Sequence, residues 1–193
     1  MIIDISQEVF SCKVFPGDPL PAMERIQSME QGNVCNLTRF SMCAHNGTHV
    51  DAPYHFIHNG DTIEKIGMDS FVGDCYVARC EGNITATDAA SIMERAKAAG
   101  ASERILIAGK ATVTADAARV FAQSNIKLIG NESQTVGPED APMEVHLILL
   151  GAGIVLLEGI VLTDVPEGKY LLSAAPLNLA GCEGAPCRAF LMG

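Results

Sequence analysis

A chain of 193 residues with 48% hydrophobic content can bury a sizeable core, and nothing in it reads as a linker or repeat, so one domain over residues 1–193 is expected. The net charge is −10 and the 13 lysines and arginines do not cluster, which excludes the basic surface that nucleic-acid binding needs. The start, Met1–Phe10, lacks a signal-peptide pattern, and the longest apolar run, Leu147–Leu157, is shorter than the about 20 residues that cross a bilayer, so a soluble cytoplasmic protein with no membrane partner is expected.

Ile2–Ile5 reads as a short strand, and Phe15–Pro19, with two prolines and a glycine, as a loop. Val34–Ala44 and Phe71–Cys80 are rich in residues that favour strands. A helix over Thr87–Ala99 is capped by Thr85 or Thr87, buries Ile92, Met93 and Ala96, and stops at Gly100. Arg104–Ala108 is a buried strand, Thr114 caps a helix to Gln123, and Lys127–Gly130 is a strand. Pro142–Leu150 is a helix ended by Gly151 or Gly153. Ile154–Glu158, Lys169–Ser173 and Arg188–Met192 complete the strands. Strands lead and then alternate with helices, which gives an α/β fold on a mixed sheet. No glycine-rich phosphate loop follows a strand. The seven cysteines are odd in number and form no CxxC pair, so free thiols are expected.

The chemistry concentrates in one segment. Four of the five histidines, His45, His49, His55 and His58, fall within residues 45–58. A helix there is disfavoured by Asn46-Gly47, two β-branched residues and Pro53. An extended chain would point His45, His49, Asp51 and His55 to one side, with Pro53 ending or bending it. Imidazole nitrogens with a carboxylate are ligands for zinc or manganese, and His45, His49 and Asp51 match the three protein ligands of catalytic zinc sites. A metal of this kind lowers the pKa of water to roughly 7. His55 is then free as a general acid or base. The competing reading is a polar loop of hydrogen-bonded histidines. His58, beside Asn59-Gly60, reads as a surface turn residue. His146 and Glu158 flank the long apolar run; a metal would satisfy both, as would a core hydrogen bond and an exposed strand end.

These residues resemble the metal-dependent cyclase and kynurenine formamidase (arylformamidase) family. Its H-x-G-T-H-x-D-x-P-x-H signature is matched by His45-Asn-Gly-Thr-His49-Val-Asp51-Ala-Pro-Tyr-His55, and Asp4–Ser6, residues 15–19, the His146…Glu158 pair and the closing APCRAF add weaker matches. The resemblance implies a β-rich core with flanking helices and a homodimer or larger assembly. It implies a first metal, usually Zn2+, on His45, His49 and Asp51, and a second position on Asp51, His146 and Glu158. It makes His55 the proton-transfer residue. The implied substrates are small molecules, formamides such as N-formylkynurenine or cyclic amides such as isatin. Phe15 stands where the formamidases carry a substrate-contacting tryptophan, and Asn131 where an aspartate is usual. The expected activity is hydrolysis of an amide or cyclic amide or ester. A cyclase or dehydratase on the same metal and a non-catalytic metal-binding protein are the competitors.

Overall fold

The computed structural model describes residues 1–193. Its strands are β1 (Ile2–Asp4), β2 (Ala22–Gln27), β3 (Leu37–Ser41), β4 (His49–Asp51), β5 (Val72–Arg79), β6 (Gly82–Ile84), β7 (Arg104–Ala108), β8 (Ala111–Val113), β9 (Leu128–Asn131), β10 (Val155–Glu158), β11 (Gly168–Ser173), β12 (Gly184–Pro186) and β13 (Phe190–Met192). The helices are α1 (Ala86–Ala98), α2 (Ala115–Ala122) and α3 (Met143–Gly151). Nine strands form one sheet in the order β1-β13-β11-β5-β7-β9-β10-β4-β12. The stretch from β5 through β7 and β9 to β10 is parallel and the outer pairs are antiparallel, so the fold is α/β with a mixed sheet, as expected.

The parallel strands are central because both their faces are covered. Every residue of β7 is buried, with Ile105 and Ile107 in the core cluster that also holds Ile92, Phe121 and Leu149 of the helices. Leu106 and Ala108 belong to a second cluster on the other face, with Val50, Leu157 and Leu191. Thr85, the first of the two cap candidates, closes the N-terminus of α1: its side chain accepts the Asp88 amide while its own amide donates to the Asp88 carboxylate.

The sheet is strongly curled. Strand β12 is its last strand and β13 lies one from the opposite edge, yet only residues 187–189 join them. A connection that short spans little more than about 10 Å at the usual reach per residue. The two edges therefore approach each other, and Gln7, just past β1, donates its amide to Thr48 Oγ1 beside β4 at 2.9 Å.

The short strands β6, β8 and β12 are not expected from the sequence, and two further strands depart from it. The strand expected over 34–44 is confined to Leu37–Ser41, and it pairs with the unforeseen β2 in a two-stranded ribbon outside the main sheet. The residues of β2, AMERIQ, carry no period-two pattern because neither face of the ribbon packs on the core: all but Gln27 are exposed.

All seven cysteines are free. Burial pushes the thiols of Cys75 and Cys187 up to about 12, which withholds the nucleophilic thiolate, whereas Cys35 is exposed. A thiol reagent at pH 8 should therefore modify Cys35 early and leave Cys75 and Cys187 unmodified until the chain unfolds, as peptide mass mapping would show.

Candidate metal centre

The backbone from His45 to His55 is extended only over β4. His45 lies in a turn closed by the Asn46 amide donating to the Cys43 carbonyl, and Gly47 follows at φ 66°. Pro53–His55 is a single 3-10 turn with proline at its start, where a missing amide is harmless. The alternating face expected from the sequence thus holds for His49 and Asp51 alone. His45 and His55 reach the same place from turns on either side of the strand.

Strand pairing brings the next residue. In the antiparallel pair β4–β10, Glu158 lies opposite His49 and Leu156 opposite Asp51. Leu156 belongs to the helix-side core, so these polar side chains point to the face that the helices cover. From that layer α3 supplies His146. The distances are short: His49 Nε2 lies 3.3 Å from Asp51 Oδ1 and 3.5 Å from Glu158 Oε2. His146 Nε2 lies 3.6 Å from Asp51 Oδ2 and 3.4 Å from Glu158 Oε1, and His45 Nδ1 is 2.8 Å from Asp51 Oδ1.

The surroundings aim these groups. His49 Nδ1 donates to the Gly47 carbonyl and His146 Nδ1 to the Pro142 carbonyl, both at 2.9 Å, so each ring presents Nε2 to the carboxylates. The Val136 amide donates to Glu158 Oε1 at 2.8 Å. Thr48 Oγ1 accepts the Gln7 amide and donates to the Gly159 carbonyl, which clamps β4 beside β10. Gly159 itself takes φ 66°, and a Cβ there would lie 2.5 Å from the Gly47 carbonyl oxygen.

Asp51 and Glu158 are buried carboxylates, and burial works against their charge. Burial alone would raise the Asp51 pKa, but the neighbouring imidazoles of His146, His45 and His49 hold it well below the ordinary value. The complementary effect acts on the imidazoles. Burial would lower His49 and His146, yet Asp51 and Glu158 outweigh it and push both up to about 10.

The residues fit a metal. His49 Nε2 and Asp51 Oδ2 are buried with no hydrogen-bond partner despite the nearby charges. Ligand-type atoms all within 4.8 Å of one another occur in two groups that share Asp51: His49, Asp51 and Glu158, and His45, Asp51 and His55. Nitrogen and carboxylate oxygen donors of this kind suit zinc or manganese.

His55 stacks on His45 with ring centroids 4.1 Å apart, and Phe56 lies 4.6 Å from both His55 and His146. His45, His55 and Phe56 are partly exposed, so the centre opens on that side. His58 is an exposed turn residue. Phe15 is half-exposed in the turn closed by the Asp18 amide, and its ring pairs with none of the site histidines. Two neighbours escaped the sequence reading. Phe56 was overlooked beside His55, and Glu183, whose Oε1 lies 3.3 Å from His45 Nε2, is 138 residues away along the chain. A surface cleft of about 670 Å3 lies elsewhere; Lys13, Arg79 and Lys110 face Glu81, Glu132 and Glu139 there, and none of the centre's residues lines it.

Comparisons with known proteins point to one group. The family profile described as "Putative cyclase" matches residues 3–138. The kynurenine formamidase of Erythrobacter litoralis (strain HTCC2594) is 32% identical over 98% of this chain and 93% of its own length. Among solved structures, a "potential metal-dependent hydrolase with cyclase activity" is 29% identical, with a TM-score of 0.82 over 99% of this chain and 96% of that one. Isatin hydrolase A of Labrenzia aggregata, at 23% identity, shares the fold with a TM-score of 0.82 over 99% of this chain and 93% of that one.

The raised histidines link stability to pH. Unfolded histidine titrates near 6.5, so the stabilisation from protonated His49 and His146 is fully present below about pH 6.5 and is lost as pH rises toward about 10. With divalent metal removed by a chelator, the urea midpoint should fall across that range, and His146→Asn should flatten the fall. A level profile in the unsubstituted chain would contradict this charge assignment.

Proposed function

The chain belongs to the cyclase family, and on that premise we propose that it is a metal-dependent hydrolase that cleaves the C–N bond of a small amide or cyclic amide, or the corresponding ester bond. The observation that carries this reading is the convergence of three imidazoles and two buried carboxylates on one spot, with His49 Nε2 and Asp51 Oδ2 left unpartnered. We assign His45, His49 and Asp51 to one metal position and Asp51, His146 and Glu158 to a second. Zn2+ is the proposed ion, Mn2+ the alternative, with one or two ions held. When bound, such an ion polarises a carbonyl and acidifies water.

His55 is the proposed proton carrier. Burial pushes its pKa below the ordinary value, so it is neutral at pH 7 and can accept a proton. Its ring sits at the open side, stacked on His45, where it can take a proton from the attacking water and return it to the leaving nitrogen. Asp51 and His45 hold each other in place beneath it. Phe56 offers an aromatic surface beside His55, and Phe15, half-exposed on its loop, is proposed as a further apolar wall. A formamide of the N-formylkynurenine type is the substrate class proposed first, after the formamidase relative. Ring closure by the same residues is the second reading, favoured by the relative described as having cyclase activity.

Residues 1–193 are read as one such domain, since β1 and β13, at the two ends of the chain, pair in the sheet that carries the centre. No helix is long and apolar enough to cross a membrane. A cytoplasmic location is proposed on the seven free thiols. A homodimer or larger assembly is proposed on the β2–β3 ribbon. It stands out from the body with Met23, Ile26, Leu37 and Phe40 exposed, and a two-stranded ribbon of this kind is marginal unless something covers it.

Formyl-amides, lactams and lactones offered to the metal-loaded and chelator-treated protein in labelled water test the reaction. Hydrolysis inserts one labelled oxygen and stops when metal is removed; a product without label favours ring closure. His55→Ala should keep the wild-type metal content while turnover falls roughly 10²–10⁴-fold. Loss of metal with activity would make His55 a ligand instead. Sedimentation should show a dimer or larger species at micromolar concentration, and Met23→Glu with Phe40→Glu should shift it to monomer. A monomeric wild type would overturn the assembly.

A further inference from the structure

His45 is held from two sides. Its Nδ1 faces Asp51 Oδ1 at 2.8 Å and its Nε2 faces Glu183 Oε1 at 3.3 Å. Glu183 immediately precedes β12, the edge strand paired with β4. Its carbonyl accepts the Ala52 amide at 2.8 Å, and Gly184 follows in register with Asp51. A Cβ on Gly184 would come within 3.0 Å of His45 Cε1 and 2.7 Å of the Val50 carbonyl oxygen. The imidazole thus lies over a point on the edge strand that only glycine leaves open, with the preceding carboxylate at its outer nitrogen.

His49 and His146 each donate their outward nitrogen to a backbone carbonyl. At His45 a carboxylate takes the carbonyl's place. We propose that Glu183 is a positioning residue: it accepts the Nε2 proton of His45, so that when a metal displaces the Nδ1 proton that His45 donates to Asp51 in the metal-free chain, the lone pair is left on Nδ1, beside Asp51. A carboxylate in this position orients a histidine ligand and makes it more basic. The inference rests on the reading of His45 as a metal ligand.

The test titrates Zn2+ alone into the metal-free full chain against a chromophoric chelator. Glu183→Ala should weaken zinc binding about 10–100-fold, Glu183→Asp should recover part of the loss, and Glu183→Gln, which keeps an acceptor oxygen, should lose less than alanine. Because Glu183 acts through His45, adding Glu183→Ala to His45→Ala should cost nothing further. The Glu183 side chain is 40% exposed and its hold on β4 is through the backbone, so the metal-free variants should retain the wild-type circular dichroism. If the alanine variant nevertheless misfolds, the near-isosteric glutamine variant decides, and it must still bind zinc more weakly than wild type. Wild-type affinity in a folded variant, or additive losses in the double variant, would overturn the role of Glu183 while leaving the metal centre standing. A wild-type chain that binds no zinc would overturn both.

Discussion

Two carboxylates buried side by side in a chain of net charge −10 are the constraint on which the rest of this structure depends. Asp51 and Glu158 forfeit their hydration, and isolated buried anions of this kind cost several kcal/mol each. Positive charge must be supplied locally. In the metal-free chain it comes from protons on His49 and His146, which the same carboxylates hold well above neutrality. A divalent cation replaces two such protons charge for charge, and the unpartnered atoms His49 Nε2 and Asp51 Oδ2 are where ligand capacity remains. The centre is thus a place where folding leaves an electrostatic demand that a metal meets.

The architecture serves that demand by gathering distant segments. The β4–β10 pairing sets His49 opposite Glu158, α3 delivers His146 from the helical layer, and the edge strand β12 lays Glu183 and Gly184 against His45. Only a sheet curled until its edges approach can place β12 beside β4 while the next three residues lead back to β13. The carboxylates sit on the deep side, and His45, His55 and Phe56 face the opening. Water and substrate therefore meet the neutral imidazole of His55 before the buried charges, which suits a proton carrier.

Features governed by local physics were legible in the sequence. The unbroken apolar run Ile105–Ala108 marked a strand buried on both faces, and Thr85 or Thr87 ahead of the apolar Ile92, Met93 and Ala96 marked a helix start. The period-two spacing of His49 and Asp51 marked a shared face. Features set by distant contacts were hidden. Pro53 signalled the bend that becomes the 3-10 turn, but the stacking of His55 on His45 is set by tertiary packing, and the ribbon strand β2 has no core to impose a pattern on it. Glu183 carries no local signal at all, because its partner is 138 residues upstream.

On the proposed reading Asp51 is the hub of a metal centre. Anomalous scattering at the zinc edge, from crystals grown with Zn2+, tests it most directly. A peak is expected at about 2.0–2.2 Å from Asp51 oxygen and from imidazole nitrogen of His49 or His45. Zinc bound only elsewhere, with Asp51 and His49 still paired to each other alone, would contradict it.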